Sequence, residues 1–193
     1  MIQNNLQSLD GCRKHPRLIL WAREGCSYFL NARGAKIAHT YGPAMRAKTK
    51  DRGYRGPVIR QFTKACHVLM GEIFYGDRPV FINSKGKPYF GVCHHLIEDP
   101  LNYAPENLLC WLTYSQHSKA DKRRRALEET VPDGDLRSIP YARLRYLQDP
   151  RILSDAEFQS ELDALRKDLE EHPLVKVDPL AAAAEERRKY ALD

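Results

Sequence analysis

Val92-Cys93-His94-His95-Leu96-Ile97-Glu98-Asp99-Pro100-Leu101-Asn102-Tyr103-Ala104-Pro105-Glu106-Asn107-Leu108-Leu109-Cys110-Trp111-Leu112-Thr113-Tyr114-Ser115-Gln116-His117 is the most informative run of this 193-residue chain. The stretch Tyr89 to Cys93 leads into it as a strand, and Leu108 to Thr113 is a second apolar strand candidate. Between them, Asp99-Pro100 and Ala104-Pro105 punctuate a loop. Thr113 or Ser115 can cap a helix that runs through the basic stretch Lys119 to Arg125 and ends before Pro132-Asp133-Gly134. The expected order is strand, loop, strand, helix, with His94-His95 closing the first strand and His117 on the first helical turn.

Working outward, Val80-Phe81-Ile82 and Tyr89 to Cys93 flank the tight Asn83-Ser84-Lys85-Gly86-Lys87 connection and read as a hairpin. Lys64 to Tyr75 has helical spacing, with Val68, Leu69, Ile73 and Phe74 on one face, and Gly76-Asp77 ends it. Residues 17–62 read as short strands, among them Leu18-Ile19-Leu20-Trp21 and Tyr28-Phe29-Leu30. Turns at Asn31-Ala32-Arg33-Gly34 and Gly53-Tyr54-Arg55-Gly56-Pro57 break them. Downstream, Ser138 can cap a short helix through Gln148, with Pro140 tolerated in its first turn, and Asp149-Pro150 breaks it. Ser154-Asp155-Ala156-Glu157 is a capping box. Phe158, Leu162, Leu165 and Leu169 follow as a stripe that packs onto the parent domain, seams a dimer, or contacts DNA. The tail after Pro173 is expected to fray. Trp111 and Phe90, as flanking strand residues, read as core.

Composition is that of an ordinary globular protein. No apolar run approaches the roughly 20 residues that span a bilayer. Met1 to Asp10 has neither a basic nor an apolar signal region, so a cytoplasmic protein without membrane partners is expected. The five cysteines, Cys12, Cys26, Cys66, Cys93 and Cys110, form no C-x-x-C pair and read as reduced, packed thiols. Cys93 stands out for lying beside the histidine doublet.

The net charge of +6 is unevenly spread. Residues 154–193 hold eleven acids against six Lys/Arg, a balance of −5, which leaves +11 for residues 1–153. Residues 31–64 hold nine Lys/Arg and one acid, Asp51. Such a block is either a solvated face or mobile arm, or a surface that neutralises phosphates and releases counterions.

The histidines fit phosphodiester hydrolysis. That reaction needs a base for water, a cation for the charge on the phosphorane and departing oxygen, and a group that aims the base. Imidazole, with a pKa of about 6.5, is the natural base at neutral pH. Adjacent strand residues face opposite ways. His94 and His95 can therefore divide the labour, one toward a metal and one toward water, if the strand ends or twists there. His117 is placed to supply a further ligand.

The doublet, the Asn107-Leu108 pair twelve residues after His95, and the helix-opening His117 resemble the HNH, or ββα-metal, nuclease family. More specifically, the chain is similar to the homing-type HNH endonucleases of phages and mobile introns. Tyr28-Phe29-Leu30-Asn31-Ala32-Arg33-Gly34-Ala35-Lys36-Ile37, Gly53-Tyr54 and Cys66-His67-Val68-Leu69-Met70 occupy the places of that group's upstream segments, in order. The resemblance spans about residues 18 to 125. It implies that His95 is the general base and that His94 and His117 are metal ligands. It also implies that Asn107 pins the loop backbone and orients the base, and that the products are 5′-phosphate and 3′-hydroxyl ends.

The gap from Asn107 to His117 looks about one residue longer than the family's, so a bulge at the strand-to-helix junction is expected. Asp121 stands one turn after His117. It either completes a two-histidine, one-carboxylate set or forms an ion pair on a basic helix. Oxygen ligands alone would suit Mg²⁺, the first expectation, whereas two imidazoles also suit Mn²⁺, Ni²⁺ or Zn²⁺. His67 matches a family position yet lies on an apolar helix face, where a satisfied core histidine competes with a DNA contact. In this fold the metal-bearing helix approaches the minor groove. Lys119, Lys122, Arg123 and Arg124 are therefore candidate contacts to double-stranded DNA, alongside Arg46, Lys48, Lys50, Arg52 and Arg55.

The expected fold is α+β. It comprises a basic β-rich N-terminal module (1–63), an HNH ββα-metal core (64–131) and a helical C-terminal extension (132–193). The expected function is metal-dependent DNA endonuclease activity, of a phage or mobile element acting in a bacterial host, as monomer or homodimer. Two rivals are a non-cleaving DNA-binding protein that keeps the fold, and a structural zinc module built from Cys93, Cys110 and the histidines.

Overall fold

The computed structural model describes residues 6–41, 57–59 and 64–172. Among these, very short strands precede the first helix. Strands β1 (Arg13–Lys14), β2 (Trp21–Ala22), β3 (Phe29–Leu30) and β4 (Lys36–Ile37) form an antiparallel sheet in that order. Strands β5 (Thr40–Tyr41), β6 (Pro57–Ile59) and β7 (Lys64–Ala65) form a second sheet. Helix α1 (Cys66–Phe74) follows at once, its N-cap Ala65 providing no side-chain cap. It is buried on nearly every side because it lies between the N-terminal strands and the next strand pair.

Two hairpins come next. Strands β8 (Val80–Ile82) and β9 (Pro88–Phe90) pair across the Asn83–Lys87 turn. There the Asn83 side chain accepts from the Lys85 and Lys87 backbone N–H groups. Strands β10 (Val92–His95) and β11 (Leu108–Leu112) then pair antiparallel, joined by the loop 96–107. Helix α2 (Tyr114–Thr130) opens with a capping box. Gln116 N–H donates to Thr113 Oγ1, and Thr113 N–H donates to Gln116 Oε1. Helices α3 (Tyr141–Gln148) and α4 (Asp155–Glu171) complete a mixed α+β architecture. The Ser154/Glu157 box at the start of α4 is formed as expected. Helix α3 begins only after Pro140; Ser138 lies in a short 3-10 turn instead of capping it.

Strand β11 separates two cores. Leu108 and Cys110 pack with Leu20, Ala22, Phe29, Ile59, Cys66, Leu69, Met70, Ile73 and Tyr103. Leu109 and Leu112 pack with Ala120, Leu127, Leu136, Leu144, Leu147, Phe158 and Leu162. One core crosses 63/64 and the other crosses 131/132. The first joins the N-terminal strands to α1 and β11, and the second joins α2 to α3 and α4. The stripe headed by Phe158 and Leu162 thus packs onto the parent domain.

The strand pair contains an irregularity that sets the site. Val92 faces Leu112 while His94 faces Leu109, so β11 spends one more residue than β10 over this interval. Trp111 absorbs it with a φ of 63°. A bulge was expected at the junction with α2; the irregularity lies inside the strand pair instead. Helix α1 approaches this bulge closely through Gly71, where a Cβ would come within 3.0 Å of Cys110 Sγ and of the Trp111 indole. Phe90 corrects an expectation: it is 56% exposed, because its hairpin face turns away from both cores.

Candidate active site

Strand parity sends the two adjacent histidines in opposite directions. His94, paired with Leu109, lies on the side of the second core, where its ring meets His117 edge-on at 5.4 Å between centroids. His95, paired with Leu108, lies toward α1, where its ring meets His67 edge-on at 5.3 Å. Strand β10 ends at His95, so both rings sit where the sheet stops. The result is two imidazole pairs on either side of one strand end. His117 on α2 is close enough to influence His67, His94 and His95 electrostatically.

All four rings are held neutral. Burial pushes His94 down to about 4, with the neighbouring His117 acting the same way and the Gln148 hydrogen bond opposing. Burial likewise brings His95 to about 4, opposed by the nearby Asp99 carboxylate. His67 falls to about 3 through burial and then His95. His117 is also lowered by burial, with Asp121 opposing. A neutral imidazole is the form that binds a metal or accepts a proton.

The surroundings fix the geometry of the first pair. Gln148, fully buried at the end of α3, donates from Nε2 to the Leu96 carbonyl at 2.9 Å. That bond turns its Oε1 to His94 Nε2, also at 2.9 Å. An amide oxygen only accepts, so His94 Nε2 carries the proton and its lone pair is on Nδ1. Gln148 thus does for His94 what outer partners commonly do for metal-ligating histidines. It lies 54 residues downstream of His94, and nothing local in the sequence marks it.

Asn107 is fully buried and its amide is used at both ends. Oδ1 accepts from Ile97 N–H at 2.8 Å, and Nδ2 donates to the Asn102 carbonyl at 2.8 Å and the Ile97 carbonyl at 3.2 Å. Its own carbonyl accepts from Leu96 N–H. Loop 96–107 is therefore tied down directly after His95. A second brace holds the preceding turn: Tyr75 Oη donates to the Pro105 carbonyl at 2.6 Å and accepts from Arg145 at 2.7 Å.

His95 differs from its neighbour in one atom. Its Nε2 is buried and has no hydrogen-bond partner among the described residues. A buried nitrogen left without a partner costs stability unless something else occupies it.

Asp121 is close to both His94 and His117, but its oxygens are taken. Oδ1 accepts from Arg124 at 2.9 Å and Oδ2 from Arg125 at 2.7 Å. Burial would raise its pKa, but these arginines outweigh burial and lower it. As it stands, Asp121 is the counter-ion of a basic helix. Among the described residues no group of three or more His, Cys, Asp or Glu side chains is arranged to hold a metal ion. His94 and His117 place two neutral imidazoles edge-on, 5.4 Å apart.

Two candidate DNA contacts are corrected. Arg123 and Arg124 are each 4% exposed. The C-terminal helices cover this face of α2, and Arg123 donates to the Asp149 and Leu153 carbonyls and to Asp155 while lying over the Phe158 ring. Arg124 is enclosed by Glu98, Asp121 and Glu128. Both serve as internal struts. Lys119 is exposed but pairs with Asp155, and Lys122 is exposed. Arg46, Lys48, Lys50, Arg52 and Arg55 lie outside the described residues. No described helix is long and apolar enough to cross a membrane. Comparison with known proteins leaves this geometry to stand alone: no protein-family model, no curated protein and no solved structure matches the chain.

Proposed function

We propose that this chain is a metal-dependent, HNH-type DNA endonuclease of homing type, from a phage or mobile element. One observation carries the reading: a strand end that divides two adjacent neutral histidines between a second imidazole and an atom without a partner, directly before an asparagine-pinned loop.

In this reading His94, through Nδ1, and His117 would hold one divalent cation, Mg²⁺ first and Mn²⁺, Ni²⁺ or Zn²⁺ as alternatives. When bound, it supplies positive charge for the phosphorane and the departing 3′ oxygen. Gln148 keeps the His94 lone pair on the side away from itself. His95, neutral at pH 7, accepts the proton of the attacking water on Nε2. An incoming phosphate brings negative charge beside the ring, which raises the affinity of Nε2 for that proton when it is needed. Asn107 prevents loop 96–107 from drifting and so keeps His95 in aim. Arg124 and Asp121 fix the His117 turn.

A non-cleaving DNA-binding protein is the weaker reading, since mere binding has no use for the buried His95 Nε2. The test is incubation of supercoiled plasmid with wild type and His95→Ala, in Mg²⁺, in Mn²⁺ and in EDTA. Nicked or linear product from wild type with metal only, lost in His95→Ala, supports the proposal. Intact plasmid under every condition, or equal cutting by His95→Ala, refutes it.

A further inference from the structure

The β8–β9 hairpin inverts the usual pattern of a two-stranded ribbon. Directly opposed residues share a face, and the pairs are Val80 with Phe90, Phe81 with Tyr89, and Ile82 with Pro88. One face therefore carries Val80, Ile82, Pro88 and Phe90, all exposed, with Val80 56%, Ile82 65% and Phe90 56% open to solvent. A hairpin covered on one side is expected to put its polar residues outward. Here the outward face is wholly apolar, which marks an interaction surface more than a chance exposure.

Three observations say what covers it. The ribbon is basic: residues 78–97 contain Arg78, Lys85 and Lys87 and no acid. Lys85 and Lys87 are exposed at the tip, and the Arg78 guanidinium lies 5.2 Å from the Phe90 ring centre, beside the apolar face. The ribbon is also continuous with the candidate site. Tyr89, on its inner face, stacks on Tyr114 at 4.4 Å and 13°, and Tyr114 precedes His117 by one turn of α2. The strand after it is β10 itself, and Gly91 N–H donates to the Pro79 carbonyl at the join.

We infer that the β8–β9 ribbon is a second DNA contact, lying in a groove of the duplex that flanks the scissile phosphate. A two-stranded ribbon fits the major groove. Lys85 and Lys87 would meet phosphates, while Val80, Ile82 and Phe90 press on sugars, base edges and thymine methyls. The inference rests on the nuclease reading for the identity of the partner. A purely hydrophobic protein interface would not require the acid-free, lysine-tipped ribbon.

The test is fluorescence anisotropy of a labelled 30-base-pair duplex in EDTA, so that nothing is cut, at several salt concentrations. The variants are Ile82→Ser with Phe90→Ser, and Lys85→Ala with Lys87→Ala; all four sites are exposed, and melting curves check that each variant folds. The apolar double variant should bind about tenfold more weakly. The lysine double variant should flatten the plot of log K against log salt by about 1.8, from roughly 0.9 per phosphate contact. Wild-type affinity and slope in both variants overturn the inference while leaving the plasmid result untouched. A wild-type dimer that Ile82→Ser with Phe90→Ser dissociates, in sedimentation, also overturns it, since the face would then belong to a second copy. Failure of wild type to bind duplex DNA at all removes the nuclease reading together with this one.

Discussion

His94 and His95 are adjacent in the chain and share residue type, strand and depressed pKa, yet they have opposite surroundings. His94 is 3% exposed, bonded to a buried glutamine and set against the imidazole of α2. His95 faces α1, with His67 beside it and its Nε2 without a partner among the described residues. The lesson is that one peptide unit of strand parity suffices to give two adjacent histidines an engaged and an unengaged Nε2. Burial makes both rings neutral; what distinguishes them is whether the second nitrogen is engaged.

The largest expected effect follows from that division. His95→Ala should lower single-turnover cleavage of plasmid about 10²–10⁴-fold, the usual worth of a general base. Raising the metal concentration should restore nothing in His95→Ala but should partly restore His94→Ala. Equal rescue of both variants would merge their roles.

Gln148→Leu comes next, because it attacks only the His94 side. It should weaken metal binding about 10–100-fold, the usual cost of losing an outer partner. It should also destabilise the fold by about 1–3 kcal/mol by leaving His94 N–H and the Leu96 carbonyl unpaired. Gln148→Glu, which still accepts from Nε2, should recover metal affinity. Calorimetry and urea unfolding measure the two quantities separately.

The buried arginines extend the contrast to α2. Arg123→Gln should cost about 1–3 kcal/mol by stripping donors from the Asp149 and Leu153 carbonyls. Exposed Lys122→Ala should change stability by less than about 0.5 kcal/mol. If the substitutions reversed this order in urea unfolding, the strut role of Arg123 would fail.

A further effect is the shared one. His94 and His95 titrate near 6.5 when unfolded and near 4 when folded, so between these values the unfolded chain binds more protons. Stability should therefore be level above about pH 6.5 and fall as pH drops toward 4. His95→Ala should flatten that fall by roughly one proton's worth, read from denaturant midpoints at pH 7.5, 6 and 5. A profile flat over this range would contradict the neutral-ring description.

What was legible in the sequence was local. The Ser154 box depends on residues three apart and formed, and of the two candidate caps for α2, Thr113 is the one used. A bulge was expected close by, at the junction with α2, and it lies within the strand pair at Trp111. What was not legible depends on which surfaces meet. Alternation in β8–β9 divides the residues into faces but does not say which face is covered, and Phe90 was assigned to the wrong one. The basic run on α2 looked like one solvent-facing patch, until α3 and α4 folded over Arg123 and its neighbour Arg124 was enclosed by carboxylates. Gln148 reaches His94 only through that same docking.

The most direct test of the division between the histidines is calorimetric titration of Mn²⁺ into wild type, His94→Ala and His95→Ala. Wild type and His95→Ala should bind one ion with similar affinity, and His94→Ala should bind at least tenfold more weakly. Equal loss in both variants, or none in His94→Ala, would contradict it.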